Sequence, residues 1–222
     1  MNIGGLTPFS SIDFEGRISA VVYTQGCNFR CVYCHNHELI PRKIITDFSL
    51  ESVFRFLDSR KKILDGICLT GGEPTLHRDL PKVLEKIKDK GFALKLDTNG
   101  SNPKMLELLF SKVLVDYVAM DIKAPWNKYK KIIKVNFPIE IIKESFELIK
   151  SSNFPHEFRT TVHSKLLSPS DLEEIIRLVG KEHPLYFQIA KETPLFKVQN
   201  RYTKETLNTF ISQFPSFKLA VR

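Results

Sequence analysis

The chain has 222 residues and a formal net charge of +8, a length that suits one substantial core and gives no indication of a second domain. No apolar run approaches the roughly 18 residues of a membrane span, and the first residues lack the pattern of a signal peptide, so we expect a cytoplasmic protein that does not enter a membrane. The basic charge permits a polyanionic partner without identifying one, and nucleic-acid binding is not expected from charge alone.

Strands and helices are predicted to alternate along the chain. Residues 1–17 form a turn-rich lead, and the buried run 18–24 predicts the first strand. Ser49 is a typical N-cap and begins a helix with an apolar face. Further strands are predicted at residues 66–70, 92–96, 117–120, 157–162 and 185–189, and residues 217–221 are expected to add an edge strand.

Each later strand is followed by a predicted helix whose apolar residues recur every three or four positions. Ser168-Pro169-Ser170-Asp171 begins one of these helices, with Pro in its first turn. The apolar positions are Leu50, Val53, Phe54 and Leu57; Leu80, Val83, Leu84 and Ile87; Met105, Leu108 and Leu109; Ile139, Ile142, Phe146 and Ile149; Leu172, Ile175, Ile176 and Val179; and Leu207, Phe210, Ile211 and Phe214.

The spacing of the predicted strands indicates repeated βα units. From the second strand onward the strands start at residues 66, 92, 117, 157 and 185. Six such units are too few for a closed eight-stranded barrel. The spacing is therefore compatible with two folds, a partial barrel or an open doubly wound sheet. We predict one domain, with the barrel over 18–214 and a tail over 215–222.

Three closely spaced cysteines follow the first strand, at Cys27, Cys31 and Cys34. Because cytosolic thiols stay reduced, this spacing indicates ligands of a metal or cluster and not disulfide partners. A cubane iron-sulfur cluster is usually held by four cysteines, so a site with three leaves one iron free to bind another group. Cys68 lies inside the second predicted strand and is expected to be a small buried residue, which argues against a second cluster.

Residues whose side chains could bind a ligand or take part in catalysis also recur at the carboxyl ends of the predicted strands. In a parallel β/α architecture these ends share one rim, where sites are commonly built. Each such residue alone has a structural explanation, since Asn99-Gly100 suits a turn and Gly71-Gly72 suits a close backbone approach. Their recurrence favours a site formed by Glu73, Asp97, Asn99, Asp121, Lys123, Arg159 and Gln188.

The cysteine spacing, with Tyr33 before the third cysteine, and Gly71-Gly72-Glu73 after the second strand together resemble the radical S-adenosylmethionine (SAM) superfamily. The resemblance covers essentially the whole chain. Four further stretches are similar to the glycyl-radical-enzyme activases, and among these to the activating proteins of anaerobic ribonucleoside-triphosphate reductase. These stretches are Ile12-Asp13-Phe14, Cys34-His35-Asn36, Leu96-Asp97-Thr98-Asn99-Gly100 and Met120-Asp121-Ile122-Lys123.

The resemblance implies a partial (β/α)6 TIM-type barrel, the radical SAM core, with one [4Fe-4S] cluster held by Cys27, Cys31 and Cys34. SAM would bind the iron that has no cysteine, with its methionyl ammonium at Glu73 and the backbone of Gly71 and Gly72. The remaining contacts implied are Asp97, Thr98 and Asn99 for ribose or methionine polar groups, Arg159 for the methionine carboxylate, and Tyr33 with Gln188 for adenine.

Asp121 and Lys123 are expected near the methionine end of SAM, with a monovalent cation between Asp97 and Asp121. A plain ion pair between Asp121 and Lys123 is the alternative. His35 either hydrogen-bonds near a cluster sulfide or caps a turn. Trp126 and the basic segment 128–134 are candidates for partner docking, with core packing as the alternative for Trp126.

The implied activity is reductive cleavage of SAM to methionine and a 5'-deoxyadenosyl radical, which abstracts a glycine α-hydrogen from a partner. The implied partners are a glycyl radical enzyme, here anaerobic (class III) ribonucleotide reductase, and an electron donor of flavodoxin or ferredoxin type. The alternatives are a small-molecule enzyme similar to 7-carboxy-7-deazaguanine synthase, and a non-catalytic zinc or nucleic-acid binding module. Glu15 and Val32 stand where relatives often have Pro, and neither is a predicted ligand.

Overall fold

The structure is a computed structural model that describes residues 1–41, 48–194 and 196–222. Strands and helices alternate along most of the chain, as predicted. The strands are β1 (Ile3–Ser10), β2 (Ser19–Thr24), β3 (Gly66–Gly71), β4 (Ala93–Thr98), β5 (Tyr117–Asp121), β6 (His156–Val162), β7 (Leu185–Ile189) and β8 (Leu219–Val221). The helices are α1 (Leu50–Arg60), α2 (Leu80–Lys88), α3 (Pro103–Ser111), α4 (Tyr129–Ile133), α5 (Ile139–Ser151), α6 (Pro169–Val179) and α7 (Lys204–Ile211).

The strands form one sheet in which their order follows their order in the chain, from β1 to β8. β1 is antiparallel to β2, whereas β2–β3, β3–β4, β6–β7 and β7–β8 pair in parallel. A doubly wound sheet reverses its strand order at a switch point, whereas a barrel adds each strand beside the previous one. The predicted fold class, an α/β partial barrel of TIM type, is therefore confirmed.

The chain divides into two compact units, which are described separately below. The first comprises residues 1–28, 36–118 and 141–155, and the second comprises residues 29–35, 119–140 and 156–222. The predicted organisation as one domain with a lead and a tail stays a prediction.

In the first unit, α1 to α3 cover the strands with apolar residues. Ser49 caps α1 by accepting from the backbone N–H of Ser52, as predicted. All four predicted apolar residues of α2 are buried. The prediction for α3 was wrong at one position, because Leu108 is 39% exposed and Leu106 is buried in its place. The buried stripe of α3 is thus Leu106 and Leu109, which lie on one face three positions apart.

The N-terminal lead contains a strand that was not predicted. β1 pairs with β2 in a register that sets Ile3 opposite Thr24 and Ser10 opposite Ser19. Gly4, Gly5 and Pro8 have low strand propensity, so the segment is a strand because β2 supplies its hydrogen-bond partners. Pro8 donates no hydrogen bond, which suits a strand at the edge of a sheet.

In the second unit, α6 begins with a full capping box. Ser168 accepts from the backbone of Asp171, and the Asp171 side chain accepts from the backbone of Ser168. The four apolar residues predicted for this helix are all buried. α7 is shorter than predicted, because it ends at Ile211 before Phe214, and only Leu207 of its described residues is buried. β8 confirms the predicted edge strand at residues 217–221.

No helix in the described part of the chain is both long enough and apolar enough to cross a membrane.

Candidate active site

The start of the cysteine loop is fixed in the first unit by backbone hydrogen bonds. Gly26 N–H donates to the Leu39 carbonyl at 2.7 Å, and Cys27 N–H donates to the Ile40 carbonyl at 3.1 Å. Just before them, the Gln25 side chain donates to the Pro41 carbonyl at 2.6 Å. These bonds satisfy the buried backbone where β2 ends and hold Cys27 in a defined position.

Gly71 and Gly72 allow the end of β3 to approach this loop closely. Gly72 N–H donates to the Thr24 carbonyl at 2.9 Å. A Cβ atom on Gly72 would overlap the carbonyl oxygen of Gly26. Gly71 has φ of +106°, and a Cβ atom there would lie 2.5 Å from the backbone nitrogen of Thr24. Any side chain here would push the cysteine loop away from β3. The sequence prediction of a close backbone approach at these glycines is therefore supported by the geometry.

Glu73 is a buried carboxylate, 1% exposed, that accepts four hydrogen bonds within the first unit. Its Oε1 atom accepts from the backbone and hydroxyl of Thr75 and from the hydroxyl of Thr98, and its Oε2 atom accepts from the backbone of Asn99. Glu73 N–H also donates to the Gly26 carbonyl at 2.8 Å. Burial raises the pKa of Glu73, and the four hydrogen bonds oppose that rise. Glu73 thus links the ends of β3 and β4 to the cysteine loop.

The turn after β4 carries three of the predicted site residues. Thr98 and Asn99 are buried, and Asp97 is half-buried. The Asn99 side chain donates to Asn28 Oδ1 at 3.0 Å and lies 3.9 Å from Cys27 Sγ. The structure therefore brings Cys27, Glu73, Thr98 and Asn99 together in the first unit, as the predicted rim requires.

In the second unit, the middle of the cysteine loop is held by the end of α4. Arg30 N–H donates to the Ile133 carbonyl at 2.8 Å, and Val32 N–H donates to the Ile132 carbonyl at 3.0 Å. The last carbonyls of a helix have no partner within the helix, so the loop supplies theirs. Cys34 N–H donates to the Cys31 carbonyl at 3.0 Å, which closes a turn between these two cysteines.

An aromatic contact adds to the hydrogen bonds that hold the middle of the cysteine loop. Phe29 is 1% exposed and packs edge-to-face on Phe137, with ring centroids 5.3 Å apart. Within the same connection, Trp126 stacks on Tyr129 with centroids 5.4 Å apart. Packing is thus one role of Trp126, the alternative to partner docking.

Asp121 lies between two cations in the second unit. Its Oδ2 atom accepts from Lys123 Nζ at 2.8 Å, and its Oδ1 atom accepts from Arg159 Nε at 3.0 Å. Burial alone would raise the pKa of Asp121, but the two cations outweigh burial and lower it to about 2. Burial disfavours the charged form of Lys123, yet Asp121 raises the Lys123 pKa well above its ordinary value. The three side chains together carry two positive charges and one negative charge.

Tyr33 and Cys31 lie in the same electrostatic environment as Lys123. Burial raises the pKa of both side chains, and the Lys123 ammonium acts in the opposite direction. The Tyr33 hydroxyl is buried and has no hydrogen-bond partner among the described residues. A buried hydroxyl without a partner costs free energy, so this atom is available to a bound polar group.

The other predicted residues of the second unit are half-buried or exposed. Gln188 lies in β7 opposite Thr161 and is half-buried. His35 is exposed. In the basic segment 128–134, Lys128 pairs with Asp171 at 2.8 Å and Lys130 donates to Asn136, whereas Lys131 and Lys134 are exposed.

Several residues that the sequence analysis did not select contribute to the site. Asn28 lies inside the cysteine motif and accepts from Asn99. Thr75 follows Glu73 by two positions and donates to it twice. The Tyr129 hydroxyl donates to the Asp121 carbonyl at 3.1 Å. Asn28 had a sequence signal in its place between two cysteines, and Thr75 had one in its place after Glu73 and Pro74, because Glu73 caps the short helix that begins there. The contact of Tyr129 depends on how the chain folds back.

The donor set fits a [4Fe-4S] cluster with one iron not bound by cysteine. Cys27, Cys31 and Cys34 are not in disulfides and are of intermediate exposure, whereas Cys68 is buried as predicted. Within residues 1–41, 48–194 and 196–222, no three His, Cys, Asp or Glu side chains are grouped as ligands of one metal ion. A cubane cluster requires no such group because each thiolate binds a different iron atom. A closed zinc site, in contrast, needs four ligands around one ion.

Comparison with known proteins agrees with this chemistry. The family model of the radical SAM superfamily matches residues 21–195. A protein of Methanocaldococcus jannaschii named "Putative glycyl-radical enzyme activating enzyme" is 36% identical over 83% of this chain and 77% of its own length. A second protein of the same organism, with the same description, is 31% identical over 80% of this chain and 68% of its own. A 7-carboxy-7-deazaguanine synthase of Aquifex aeolicus is 34% identical over 42% of this chain and 43% of its own.

Solved structures share the fold. A radical SAM methyltransferase from Sphaerobacter thermophilus has a TM-score of 0.72 and 17% identity, over 94% of this chain and 67% of that one. Streptococcus suis SuiB bound to S-adenosylmethionine has a TM-score of 0.66 and 17% identity, over 91% of this chain. This chain spans 49% of SuiB.

Proposed function

This chain belongs to the radical SAM superfamily, and we propose that it is an activating enzyme for a glycyl radical enzyme. Superfamily membership makes it a radical SAM enzyme and implies a [4Fe-4S] cluster and SAM. The observation that carries the finer proposal is the match to a relative named "Putative glycyl-radical enzyme activating enzyme" over 77% of that relative's length. The partner we propose is anaerobic ribonucleotide reductase, on the motifs Asp97-Thr98-Asn99-Gly100 and Asp121-Ile122-Lys123.

When bound, the cluster would supply the electron that cleaves SAM to methionine and a 5'-deoxyadenosyl radical, which takes a glycine α-hydrogen from the partner. The chain's own task is to bind and orient SAM. Cys27, Cys31 and Cys34 would hold the cluster. The electron donor we propose is of flavodoxin or ferredoxin type, on the resemblance to the glycyl-radical-enzyme activases.

The charged groups support distinct roles for the two ends of the methionyl moiety. Lys123 and Arg159 both donate to Asp121 and are cationic, and cationic donors of this kind suit a ligand carboxylate. The Oε2 atom of Glu73 accepts one hydrogen bond and retains capacity for a second, which suits an ammonium group. In this proposal Gly71 and Gly72 present backbone to SAM, and Asp97, Thr98 and Asn99 meet ribose or methionine polar groups.

Tyr33 and Gln188 are proposed to contact the adenine. The Tyr33 hydroxyl has no partner in the described residues, so it can accept from or donate to a base.

The monovalent cation proposed between Asp97 and Asp121 would bind a carboxylate that already has two cationic partners, Lys123 and Arg159. Both oxygens of Asp121 already accept from cationic side chains, so a metal cation there would share these oxygens with Lys123 and Arg159. Exchange of potassium for sodium in the buffer tests this site. A change in SAM affinity supports the cation, and identical affinity in both salts contradicts it.

The decisive experiment mixes reduced, cluster-loaded protein and SAM with class III ribonucleotide reductase under anaerobic conditions. We expect a glycyl radical doublet by electron paramagnetic resonance (EPR) and formation of 5'-deoxyadenosine. Variants Cys27→Ala, Cys31→Ala and Cys34→Ala should lose both the cluster and SAM cleavage. Cys68→Ala is the matched control and should keep both. SAM cleavage without a doublet would contradict the partner, and a colourless protein that binds zinc would contradict the enzyme.

A second candidate function is a radical SAM enzyme that acts on a small molecule. The match to 7-carboxy-7-deazaguanine synthase favours it, although that match covers only 42% of this chain. Incubation of the reduced, cluster-loaded protein and SAM with a protein-free cell extract in place of the protein partner distinguishes the two candidates. Formation of 7-carboxy-7-deazaguanine together with no glycyl radical would select the second.

A further inference from the structure

The side chain of Asn99 lies beside the sulfur of Cys27 in the first unit. Its Nδ2 atom is 3.9 Å from Cys27 Sγ and donates to Asn28 Oδ1 at 3.0 Å. Asn99 is 6% exposed, so water competes little for these donors. An asparagine amide carries two N–H donors, and the bond to Asn28 therefore leaves one for the sulfur.

The orientation of the Asn99 side-chain amide follows from the contact that its oxygen atom makes. Asn99 Oδ1 accepts from the backbone N–H of Ser101 at 2.9 Å. A backbone N–H only donates, so the oxygen must face Ser101 and the nitrogen must face Cys27. The backbone N–H of Asn99 donates to Glu73 Oε2 at 2.7 Å, which fixes the residue independently of its side chain.

We propose that Asn99 is a positioning residue that donates a hydrogen bond to the Cys27 sulfur and raises the reduction potential of the cluster. The inference rests on the cluster that superfamily membership implies, and it requires neither SAM nor a protein partner. An N–H···S bond withdraws electron density from the thiolate, so it stabilises the reduced cluster, which carries the greater negative charge. A cluster thiolate is also a better acceptor than a neutral thiol, so the 3.9 Å separation should shorten when the cluster is bound.

Two substitutions separate the hydrogen bond from the shape of the residue. Asn99→Asp keeps the shape and the acceptor for Ser101 but replaces the two N–H donors by an anionic oxygen. Asn99→Ser removes the amide donors without adding charge. Both retain the backbone bond to Glu73. Asn153→Asp, at an exposed position of the same unit, is the control for one added negative charge.

The measurement is an EPR-monitored redox titration of the cluster in reconstituted protein without SAM. At the wild-type midpoint we expect Asn99→Asp to lower the ratio of reduced to oxidised cluster at least tenfold, which is about 59 mV for one electron. Asn99→Ser should shift the ratio in the same direction by a smaller factor, and Asn153→Asp should leave it unchanged.

The inference is overturned if both Asn99 variants hold a full cluster at the wild-type potential, or if their potential becomes more positive. Should Asn99→Asp fail to fold or to retain the cluster, the titration of Asn99→Ser decides alone. Failure to activate any glycyl radical enzyme would overturn the proposed function and leave this titration unaffected. Failure of the wild-type protein to form a cluster would overturn both.

Discussion

Thr98 shows how a single hydroxyl supports the buried acid of the first unit. It donates to Glu73 Oε1 at 2.8 Å and accepts from the backbone of Gly100 at 3.1 Å. Both partners are buried, so loss of the hydroxyl leaves a donor and an acceptor less well satisfied.

We therefore expect Thr98→Val to lower the free energy of unfolding of the cluster-free protein by about 1–2 kcal/mol. Urea unfolding measures this change. Thr209→Val, on the exposed side of α7, is the control and should stay within about 0.5 kcal/mol of wild type. Equal losses in the two variants would contradict the role of Thr98.

Asp121 gives a prediction about pH. Its folded pKa of about 2 lies below the ordinary value of 3.8 because Lys123 and Arg159 outweigh the effect of burial. A carboxylate with a lowered pKa stabilises the fold above its unfolded pKa, and this contribution is lost as the pH falls through the folded value. The difference of pKa corresponds to about 2 kcal/mol at neutral pH.

Asp121→Asn should thus lower the free energy of unfolding by about 2 kcal/mol at pH 7. The difference from wild type should shrink between pH 4 and pH 2, as measured by denaturant unfolding at several pH values. The control is Glu85→Gln, which removes an exposed ion pair with Lys112 at a similar distance of 3.0 Å and should cost under about 1 kcal/mol. A pH-independent difference would count against the assigned pKa.

Residue identities could be predicted from the sequence where a motif carried them, and their partners could not. The sequence predicts that Glu73 belongs to a site, yet nothing in it predicts that Thr98 and Asn99 donate to this carboxylate from 25 and 26 residues away. Such contacts depend on the register between strands. Asn28 illustrates the same limit, because its partner Asn99 lies on another strand end.

Gly72 shows how one position controls the contact between an element and a loop. Its missing Cβ lets the end of β3 lie against Gly26, one residue before the first cysteine. We expect Gly72→Ala to destabilise the cluster-free protein by about 2–3 kcal/mol, because backbone must shift to relieve the overlap. Thermal or urea unfolding provides the measurement.

Gly5→Ala in β1 is the matched control. Its added Cβ would meet only the Tyr23 side chain, at an ordinary 3.7 Å. The cost should stay under about 1 kcal/mol. If Gly72→Ala were no more costly than Gly5→Ala, the close approach would not constrain the loop.

The elements themselves were predictable where local signals were strong. Capping residues such as Ser49 and Ser168, and the regular apolar stripes of α2 and α6, specify helices without reference to the rest of the chain. β1 and α4 were missed. β1 contains residues with weak strand propensity and depends on pairing with β2, and α4 has only five residues, too few for a periodic pattern.

At the scale of the whole molecule, binding of the cofactor should stabilise the fold. A ligand at a free concentration of 100 times its Kd adds about 2.7 kcal/mol to the free energy of unfolding when it binds only the folded state. We expect this increase when SAM is added to the cluster-loaded protein, as measured by anaerobic denaturant unfolding. Cluster-free Cys27→Ala should show a smaller gain, and an equal gain would mean that SAM binds away from the cluster.

The rhythm of the strands was predictable at this scale because hydrophobic periodicity and spacing are local properties of the chain. The order β1 to β8 was not, since the same spacing suits a doubly wound sheet. The sequence likewise did not predict which charged side chains pair with one another. Lys128 belongs to the densest basic segment, yet it pairs with Asp171, a residue 43 positions later.

Cys68 is fully buried in β3, whereas the other three cysteines are of intermediate exposure. The chain therefore contains an internal standard for thiol chemistry. A water-soluble alkylating reagent should modify the three loop thiols of the folded, cluster-free protein, Cys31 most slowly because burial raises its pKa, and should reach Cys68 only after unfolding. Labelling stoichiometry would then report the integrity of the cluster and of the core in one sample, from the two classes of sulfur that this chain already has.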